Sequence, residues 1–448
     1  MKDNKQQSLY LVSLGCPKNL VDSEVIAGNL LSNGAAWAYT PDEATIYVIN
    51  TCAFLPETRQ EAAQEIEQAV IWKSAMPSER TIVVCGCLSQ YDRDGSFSRR
   101  FPEVDIWAGV DDIAVIDKII AGKRQVSRTR EYLYDAATAL LPLTLEHTAY
   151  LKIADGCNNI CSYCAIPSLR GNLRSRRQDD IIKEAQMCIG NGAKELIIVA
   201  QDITAYGMDR PQDKESLSTL LRALDALAGD FGIRLLYTHP AHYTNELFET
   251  LAQLKHLIPY VDIPLQHIND RILKAMNRHV DAARIKEVIA NLRKAVPGIT
   301  IRTTFITGLP GETEEEFAEL EKFIKETKFD RLGVFPYSPE PGTPAAEMSG
   351  QVEHEIAEQR AAKIMSYCRR AMKSANKKLI GSVMEVIVDS VGDGYAVARG
   401  YADAPDIDNV VFVENIPRKT APGDRLTVEI VDTDKCDLVA IIKKGKKK

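Results

Sequence analysis

The stretch Cys157-Asn158-Asn159-Ile160-Cys161-Ser162-Tyr163-Cys164 places three cysteines on one short loop, directly after a predicted strand at residues 149–154. A closed tetrahedral zinc site or an ordinary ferredoxin cluster uses four protein ligands. Three thiolates can hold a [4Fe–4S] cluster and leave one iron open, where a small molecule with an amine and a carboxylate can chelate it. The alternative is a zinc site completed by a distant His or Cys, and no His lies within this loop.

The residues that follow this loop alternate strands with helices. Six apolar runs recur at residues 149–154, 195–200, 233–237, 260–264, 300–306 and 331–336, and amphipathic helical patterns separate them. Six β/α units in a row predict a partial barrel related to the eightfold (β/α) barrel. In such barrels the chemistry lies on loops at the carboxyl ends of the strands.

Two further segments differ from this one in pattern. Upstream, short buried strands and amphipathic helices predict a parallel α/β sheet. Downstream of a charged helix at residues 353–379, short strands with Gly and Pro turns predict a small all-β barrel. We therefore predict an α/β domain over residues 6–122, a partial (β/α)6 barrel over residues 143–372 and a β domain over residues 375–443.

The composition excludes several protein classes. The 448 residues carry a net charge of −7, which argues against a broad electrostatic footprint for nucleic acid. No apolar run approaches the roughly 20 residues of a membrane helix, and the amino terminus does not resemble a signal peptide, so a cytoplasmic location is expected. The ten cysteines are then expected to be reduced, and Cys188, Cys368 and Cys436 are interpreted as packing residues.

A second set of cysteines follows the strands of the first domain. Cys16, Cys52 and Cys87 each come directly after a predicted strand. Because the carboxyl ends of parallel strands meet at one edge of a sheet, these three thiols can converge there. Three converging thiolates would again leave an iron open.

The loop at residues 157–164 resembles that of the radical S-adenosylmethionine (SAM) superfamily. The resemblance implies a [4Fe–4S] cluster on Cys157, Cys161 and Cys164 that binds SAM and cleaves it to a 5′-deoxyadenosyl radical. It further implies that Tyr163 lies near the adenine, that Glu195 contacts the SAM amino group, and that Gly308 is the glycine of the fifth strand. The alternatives are a solvated turn residue for Glu195 and a simple turn glycine for Gly308.

The whole chain resembles the methylthiotransferases, which combine an α/β domain with a second cluster, a radical SAM core and a C-terminal β domain of the TRAM type. The resemblance implies two [4Fe–4S] clusters, the second on Cys16, Cys52 and Cys87, and makes Cys85 a buried strand residue. Residues 15–24, 201–207 and 401–408 resemble the branch that acts on a ribosomal protein. The implied reaction is methylthiolation of the aspartate β-carbon in small-subunit ribosomal protein twelve, with an external electron donor and sulfur source.

Charge favours a protein substrate over tRNA. Between Gly381 and Ala440 there are twelve Asp or Glu and five Lys or Arg, whereas a domain that grips tRNA phosphates should be basic. A basic ribosomal protein suits an acidic domain, although acidic surfaces are also common without a partner. The lysine-rich tail at residues 443–448 is interpreted as a solvated end that could touch ribosomal RNA.

For other residues the sequence predicts less specific roles. The four arginines of the loop after the cysteines could bind the SAM carboxylate or an acidic substrate group; they are Arg170, Arg174, Arg176 and Arg177. Tyr206, His239 and His267 could line the site or be structural, and no catalytic residue is identified. The alternative functions are a tRNA-adenine methylthiotransferase, a non-catalytic iron–sulfur redox sensor and an RNA-binding module with structural clusters.

Overall fold

The computed structural model describes residues 6–127 and 129–443, so the lysine-rich tail lies outside the described residues apart from Lys443. The amino-terminal domain contains strands β1 (Ser8–Ser13), β2 (Ala36–Trp37), β3 (Ile46–Thr51), β4 (Thr81–Gly86) and β5 (Ile106–Ala108), with helices α1 (Pro17–Ser32), α2 (Pro56–Ser74), α3 (Cys87–Tyr91), α4 (Ser96–Arg100) and α5 (Ile116–Ile120). Its five strands are parallel in the order β2-β1-β3-β4-β5. All six residues of β3 are buried, because apolar clusters cover both faces of the sheet.

The central domain is a six-stranded open barrel. In chain order it contains β6 (Thr148–Lys152), β7 (Ala154–Asp155), α6 (Ile166–Arg170), β8 (Arg174–Ser175), α7 (Gln178–Gly190), β9 (Glu195–Val199), α8 (Leu217–Asp225), β10 (Gly232–Leu235), α9 (Asn245–Gln253), β11 (Leu257–Asp262), α10 (Asp270–Ala275), α11 (Ala282–Ala295), β12 (Thr300–Thr307), α12 (Glu314–Thr327), β13 (Arg331–Pro336) and α13 (His354–Lys377). Its parallel strands run in the order β13-β12-β11-β10-β9-β6, and β7 and β8 form a separate pair. The helices bury the outer face of this sheet in one large apolar cluster.

The carboxyl-terminal domain is a closed five-stranded barrel. Its strands are β14 (Val383–Val391), β15 (Tyr395–Arg399), β16 (Val411–Glu414), β17 (Arg425–Asp434) and β18 (Asp437–Ile442), in the order β14-β15-β16-β18-β17. Closure leaves no free sheet edge. The predicted architecture of a parallel α/β domain, a partial barrel and a small β barrel is confirmed. Within the described residues, no helix is both long and apolar enough to cross a membrane.

Helix α1 fills the concave inner face of the open barrel. Val21 and Val25 of this helix share a buried cluster with Ile197 and Val199 of β9 and with Tyr260 of β11. Pro17 starts the helix at a position where the missing backbone N–H costs nothing. The first helix of one domain is therefore part of the core of the next.

The carboxyl-terminal barrel closes the opposite, amino-terminal edge of the central strands. Glu195, the first residue of β9, accepts hydrogen bonds from Arg234 and, at 3.1 Å, from Arg399 of β15. Arg399 also pairs with Asp389 at 2.6 Å. The side chains of Glu195, Arg234 and Arg399 are each at least 97% buried. Buried charges of this kind depend on one another, because removal of one leaves the next unpaired.

We expect Arg399→Met to lower the free energy of unfolding by about 3 kcal/mol, since it leaves Asp389 Oδ2 and one oxygen of Glu195 without their cation. Urea denaturation followed by circular dichroism measures the change. The matched control is Arg425→Met, whose exposed ion pairs with Asp230 and Glu385 should contribute less than about 1 kcal/mol. Equal destabilisation by both variants would contradict the interpretation of Arg399 as an interdomain tie.

Candidate functional site

The thiols of Cys16, Cys52 and Cys87 lie at the carboxyl edge of the amino-terminal sheet. Each cysteine follows one of the adjacent strands β1, β3 and β4. The three are close enough to affect one another electrostatically, because Cys16 and Cys52 both act on the Cys87 thiol. Burial raises the pKa of Cys87 to about 11, partly opposed by the positive charge of Arg170. The sheet topology thus brings this first trio together.

Asn19 holds two of these cysteine loops in place. Its side-chain amide donates to the carbonyl oxygen of Leu14 at 2.6 Å and lies 3.3 Å from that of Asn50. The Asn50 amide in turn donates to the backbone oxygen of Asn19 and to Ser23 Oγ, both at 2.8 Å. The loop that carries Cys16 is therefore fixed against the end of β3, which leads into Cys52.

Two glycines are required by the close approach of these loops. Gly15 has φ +94°, and a Cβ there would lie 2.6 Å from Cys52 Cβ. Gly86 has φ +87°, and a Cβ there would lie 2.3 Å from Asn50 Oδ1. Only glycine combines this backbone conformation with the available space.

Cys85 lies apart from this trio. Its side chain is fully buried in the core of the sheet, 3.6 Å from the carbonyl oxygen of Ile49. Cys85 packs in the apolar cluster on one face of the sheet, whereas Cys87, which begins α3, packs in the cluster on the other face. Its placement agrees with a packing role, and Cys188 and Cys368 likewise pack against the outer cluster of the central barrel.

The second trio, Cys157, Cys161 and Cys164, lies at the carboxyl edge of the central barrel. Cys157 donates its backbone N–H to the Gly171 carbonyl at 3.1 Å, and its thiol accepts from the backbone N–H of Asn159 at 3.5 Å. Burial raises the pKa of Cys157 to about 11 and that of Cys164 to about 12. Metal binding to these thiols must therefore displace their protons.

The spacing within both trios argues against a single metal ion. Tetrahedral zinc with Zn–S bonds of about 2.3 Å would place the sulfurs about 3.8 Å apart. Among the described residues, neither trio has its three sulfurs within 4.8 Å of one another. Thiols that converge at wider spacing fit a larger iron–sulfur cluster, which each trio would bind through three irons.

A buried charge network joins the first trio to the domain that holds the second. Arg170, at the end of α6, donates to Asp22 Oδ2 of α1 at 2.6 Å and to Asp155 Oδ2 at 3.1 Å. It also lies 3.4 Å from the Cys87 sulfur. Lys152, at the end of β6, contacts both aspartates. We refer to Asp22, Lys152, Asp155 and Arg170 as the bridging network.

Four buried polar atoms near the second trio have no hydrogen-bond partner among the described residues. They are Gln201 Oε1, His239 Nε2, Gln266 Oε1 and Arg278 Nε. All four residues follow the carboxyl ends of β9, β10 or β11. Since buried polar atoms are normally satisfied, this set fits a ligand with several polar groups, as SAM has.

Arg278 is the charged member of that set. Its guanidinium lies 3.5 Å from the Cys161 sulfur and 3.5 Å from the Tyr163 hydroxyl, and it donates to the Pro264 carbonyl at 2.6 Å. It is 5% exposed and has no carboxylate within ion-pair distance among the described residues. Sequence reasoning missed Arg278 because no recognisable motif surrounds it in the chain.

His239, His242 and Asp202 form a hydrogen-bonded group beside the same loop. Their potential ligand atoms lie within 4.8 Å of one another. However, Asp202 already accepts bonds from His242 at 2.8 Å, Asn159 at 2.8 Å and the backbone N–H of Thr204 at 2.9 Å. The His242 bond, against burial, lowers the pKa of Asp202 to about 2, so the carboxylate is ionised and fully engaged. The group therefore orients side chains at the site.

Tyr163 and Gly308 lie on the same side of the barrel as the second trio. Tyr163 packs beside a small cluster that includes Leu309, the neighbour of Gly308. Gly308 follows β12 with φ +79°, and a Cβ there would lie 2.3 Å from the Ala357 side chain of α13. The glycine is thus required by helix packing, and the SAM contacts of both residues stay predictions.

The position of Glu195 contradicts its expected contact with SAM. Glu195 begins β9, whereas the cysteine loop follows the opposite ends of the barrel strands. Both of its carboxylate oxygens are engaged by Arg234 and Arg399. The residues of this segment that reach the site are instead Gln201 and Asp202, beyond the carboxyl end of the strand.

Of the loop arginines, only Arg170 contacts a cysteine of either trio. Arg176 pairs with Asp180 and Glu184, and Arg177 pairs with Asp213 on the surface. Arg174 donates to the carbonyl oxygens of Arg170 and Asn172, at 3.0 and 2.9 Å. These three arginines are structural.

Of the residues with open assignments, only His239 lies at the site. Tyr206 is 1% exposed and donates to the Arg176 carbonyl at 2.8 Å. His267 is fully buried ahead of α10, where its Nδ1 accepts from the backbone N–H of Asn269 at 3.0 Å. Tyr206 is therefore structural, whereas His267 Nε2 lies 4.0 Å from Glu312 and makes no hydrogen bond among the described residues.

Sequence profiles of three known domains match the chain. The radical SAM superfamily matches residues 151–324, the uncharacterized protein family UPF0004 matches residues 8–109, and the TRAM domain matches residues 380–442. The chain is 43% identical to the ribosomal protein uS12 methylthiotransferase RimO of Akkermansia muciniphila, over 96% of this chain and 98% of that protein. It is 40% identical to RimO of Geobacter sulfurreducens, over 98% and 99%.

Solved structures with the same fold are more distant in sequence. The radical SAM methyltransferase TsrM of Kitasatospora setae matches with a TM-score of 0.58 and 13% identity, over 79% of this chain and 78% of that one. The cobalamin-dependent SAM radical enzyme OxsB matches with a TM-score of 0.53 and 11% identity, over 81% and 56%. These two similarities concern the fold alone.

We expect each trio to account for about half of the bound iron, four atoms per cluster. Joint replacement of Cys157, Cys161 and Cys164 by alanine should halve the iron content of the anaerobically reconstituted protein, and so should joint replacement of Cys16, Cys52 and Cys87. Iron assay and electron paramagnetic resonance (EPR) measure the change. Cys85→Ala is the matched control and should keep the full iron content; if it loses half, Cys85 is a ligand.

Proposed function

The chain belongs to the ribosomal protein uS12 methylthiotransferase family, and from this membership we propose that it methylthiolates the β-carbon of an aspartate in that ribosomal protein. As a member of that family it is a radical SAM enzyme with [4Fe–4S] clusters and SAM as its cofactors. The observation that carries the proposal is the contact between the first trio and the domain that holds the second. Arg170, from the domain of the second trio, lies 3.4 Å from the Cys87 sulfur of the first.

Bound at these trios, the clusters and SAM would supply the electron, the hydrogen-abstracting radical and the methylthio group of the reaction. Cys157, Cys161 and Cys164 would hold one cluster, and Cys16, Cys52 and Cys87 the other. The protein's part is to bind, orient and shield these groups. An aspartate β-carbon has no readily removed proton, so a radical is needed and no acid–base residue has to be found.

The residues around the second trio would bind SAM. Arg278 offers a buried guanidinium without a carboxylate partner, which suits the SAM carboxylate. Gln201 and Gln266 offer amide oxygens without donors, which suit an ammonium group or ribose hydroxyls. His239 accepts at Nδ1 from the backbone N–H of Ala241, which leaves Nε2–H as a donor toward the site.

The surface of the carboxyl-terminal barrel supports a protein substrate. Asp389, Asp403 and Asp408 are engaged by arginines within the protein, so they do not contribute to a docking surface. The exposed side chains that remain between residues 381 and 440 are seven acidic and four basic ones. This surface offers no basic stripe for tRNA phosphates and suits a basic protein partner in the cytoplasm.

We expect the reconstituted protein, with SAM, dithionite and sulfide, to add one methylthio group to the aspartate of a peptide loop from uS12. Mass spectrometry of the peptide measures the product. Cys157→Ala and Cys16→Ala should each abolish it, and Cys85→Ala should not. An unmodified peptide together with a methylthiolated tRNA adenine would overturn the proposal in favour of the tRNA branch.

A further inference from the structure

Lys18 has a mostly buried side chain whose ammonium group faces no anion among the described residues. It lies in the first turn of α1, two residues after Cys16, and is 8% exposed. Its ammonium nitrogen lies 3.2 Å from the centroid of the Tyr237 ring. Among the described residues, no carboxylate oxygen lies within 4.0 Å of this nitrogen, and none of its N–H groups makes a hydrogen bond.

The stacking on Tyr237 does not by itself explain a buried lysine. Cation–π attraction recovers only part of the hydration that an ammonium loses on burial. A lysine in such a position normally gains a counter-charge. Three other interior cations near the two trios have one: Arg59 pairs with Glu340, Arg170 with Asp22, and Arg302 with Asp262.

The Tyr237 side of this contact is rigid. Tyr237 follows β10 with φ +62°, a conformation that a bulky residue adopts only when its surroundings impose it. Its backbone N–H donates to Asp262 at 3.1 Å, and its carbonyl accepts from Ile203 at 3.0 Å. Tyr237 thus presents its ring to Lys18 from the barrel, two residues before His239.

Two cations at the site therefore lack a carboxylate, and the reaction brings two carboxylates. Arg278 lies beside Cys161, at the trio where SAM would bind, so it suits the SAM carboxylate. Lys18 lies beside Cys16 of the other trio, where the methylthio group would come from. The remaining carboxylate is that of the substrate aspartate.

We propose that Lys18 binds the side-chain carboxylate of the substrate aspartate and so selects aspartate at this site. The proposal rests on the function proposed above. The reacting β-carbon is bonded directly to that carboxyl group, so an ion pair with Lys18 fixes the β-carbon between the two trios. An asparagine at the same position would carry no charge for Lys18 to bind.

The test compares Lys18→Met with the wild type on two uS12 peptides, one with aspartate and one with asparagine at the modified position. Methionine keeps the length and packing of the side chain and removes the charge. We expect the affinity for the aspartate peptide, measured by fluorescence anisotropy, and its kcat/KM to fall about 100-fold. Affinity for the asparagine peptide should change less than about threefold, because an uncharged amide forms no ion pair.

Two further variants separate charge from structure. Lys18→Arg should restore most of the affinity for the aspartate peptide. Lys183→Met removes an exposed lysine from α7 and should leave both peptides unaffected. Iron content and the unfolding midpoint identify any variant that fails to fold. If Lys18→Met fails to fold, the two peptides are compared with Lys18→Arg instead.

The outcomes distinguish this inference from the function on which it rests. If wild-type protein does not modify the aspartate peptide, the proposed function fails. If wild type modifies it and Lys18→Met keeps the same affinity and the same preference for aspartate over asparagine, the function stands and the role of Lys18 is overturned. Equal losses on both peptides would also overturn it, since they would indicate a structural role.

Discussion

The bridging network is the constraint on which the rest of the site depends. Two cations and two carboxylates, each with a side chain no more than 7% exposed, meet between helix α1 and the end of β6. Such a group is stable only when every member is present, because a lone buried charge is strongly unfavourable. It therefore permits one docking geometry between the two domains. That geometry places the Cys87 loop against the helix that follows Cys164.

Helix α1 combines three functions along a few turns. Its apolar residues Val21 and Val25 fill the barrel, Asp22 enters the bridging network, and Asn19 fixes the cysteine loops. On the other side of the barrel, the segment at residues 401–408 closes the amino-terminal edge through Arg234 and Arg331. The second trio lies at the opposite, carboxyl edge of the same central strands.

The sequence was informative where chemistry is local or topology is simple. The Cys157 loop is a contiguous motif, and the convergence of Cys16, Cys52 and Cys87 follows from parallel strands alone. The sequence does not predict the position of Glu195, because a strand-like run alone does not show which of its ends faces a ligand. In such barrels the chemistry lies beyond the carboxyl ends of the strands, and the residues beyond that end of β9 are Gln201 and Asp202. The partners of Arg170, Arg278 and Lys18 come from other domains or distant loops, so no local pattern could indicate them.

The central claim is that the two thiol trios share one reaction space, and EPR of the reduced protein with both clusters assembled tests it most directly. The account predicts that the spins of the two clusters couple through space and broaden each other's signals. The coupling should disappear when Cys16, Cys52 and Cys87 are replaced by alanine and the cluster at Cys157 is retained. Two fully loaded clusters with independent, unbroadened signals would contradict the account.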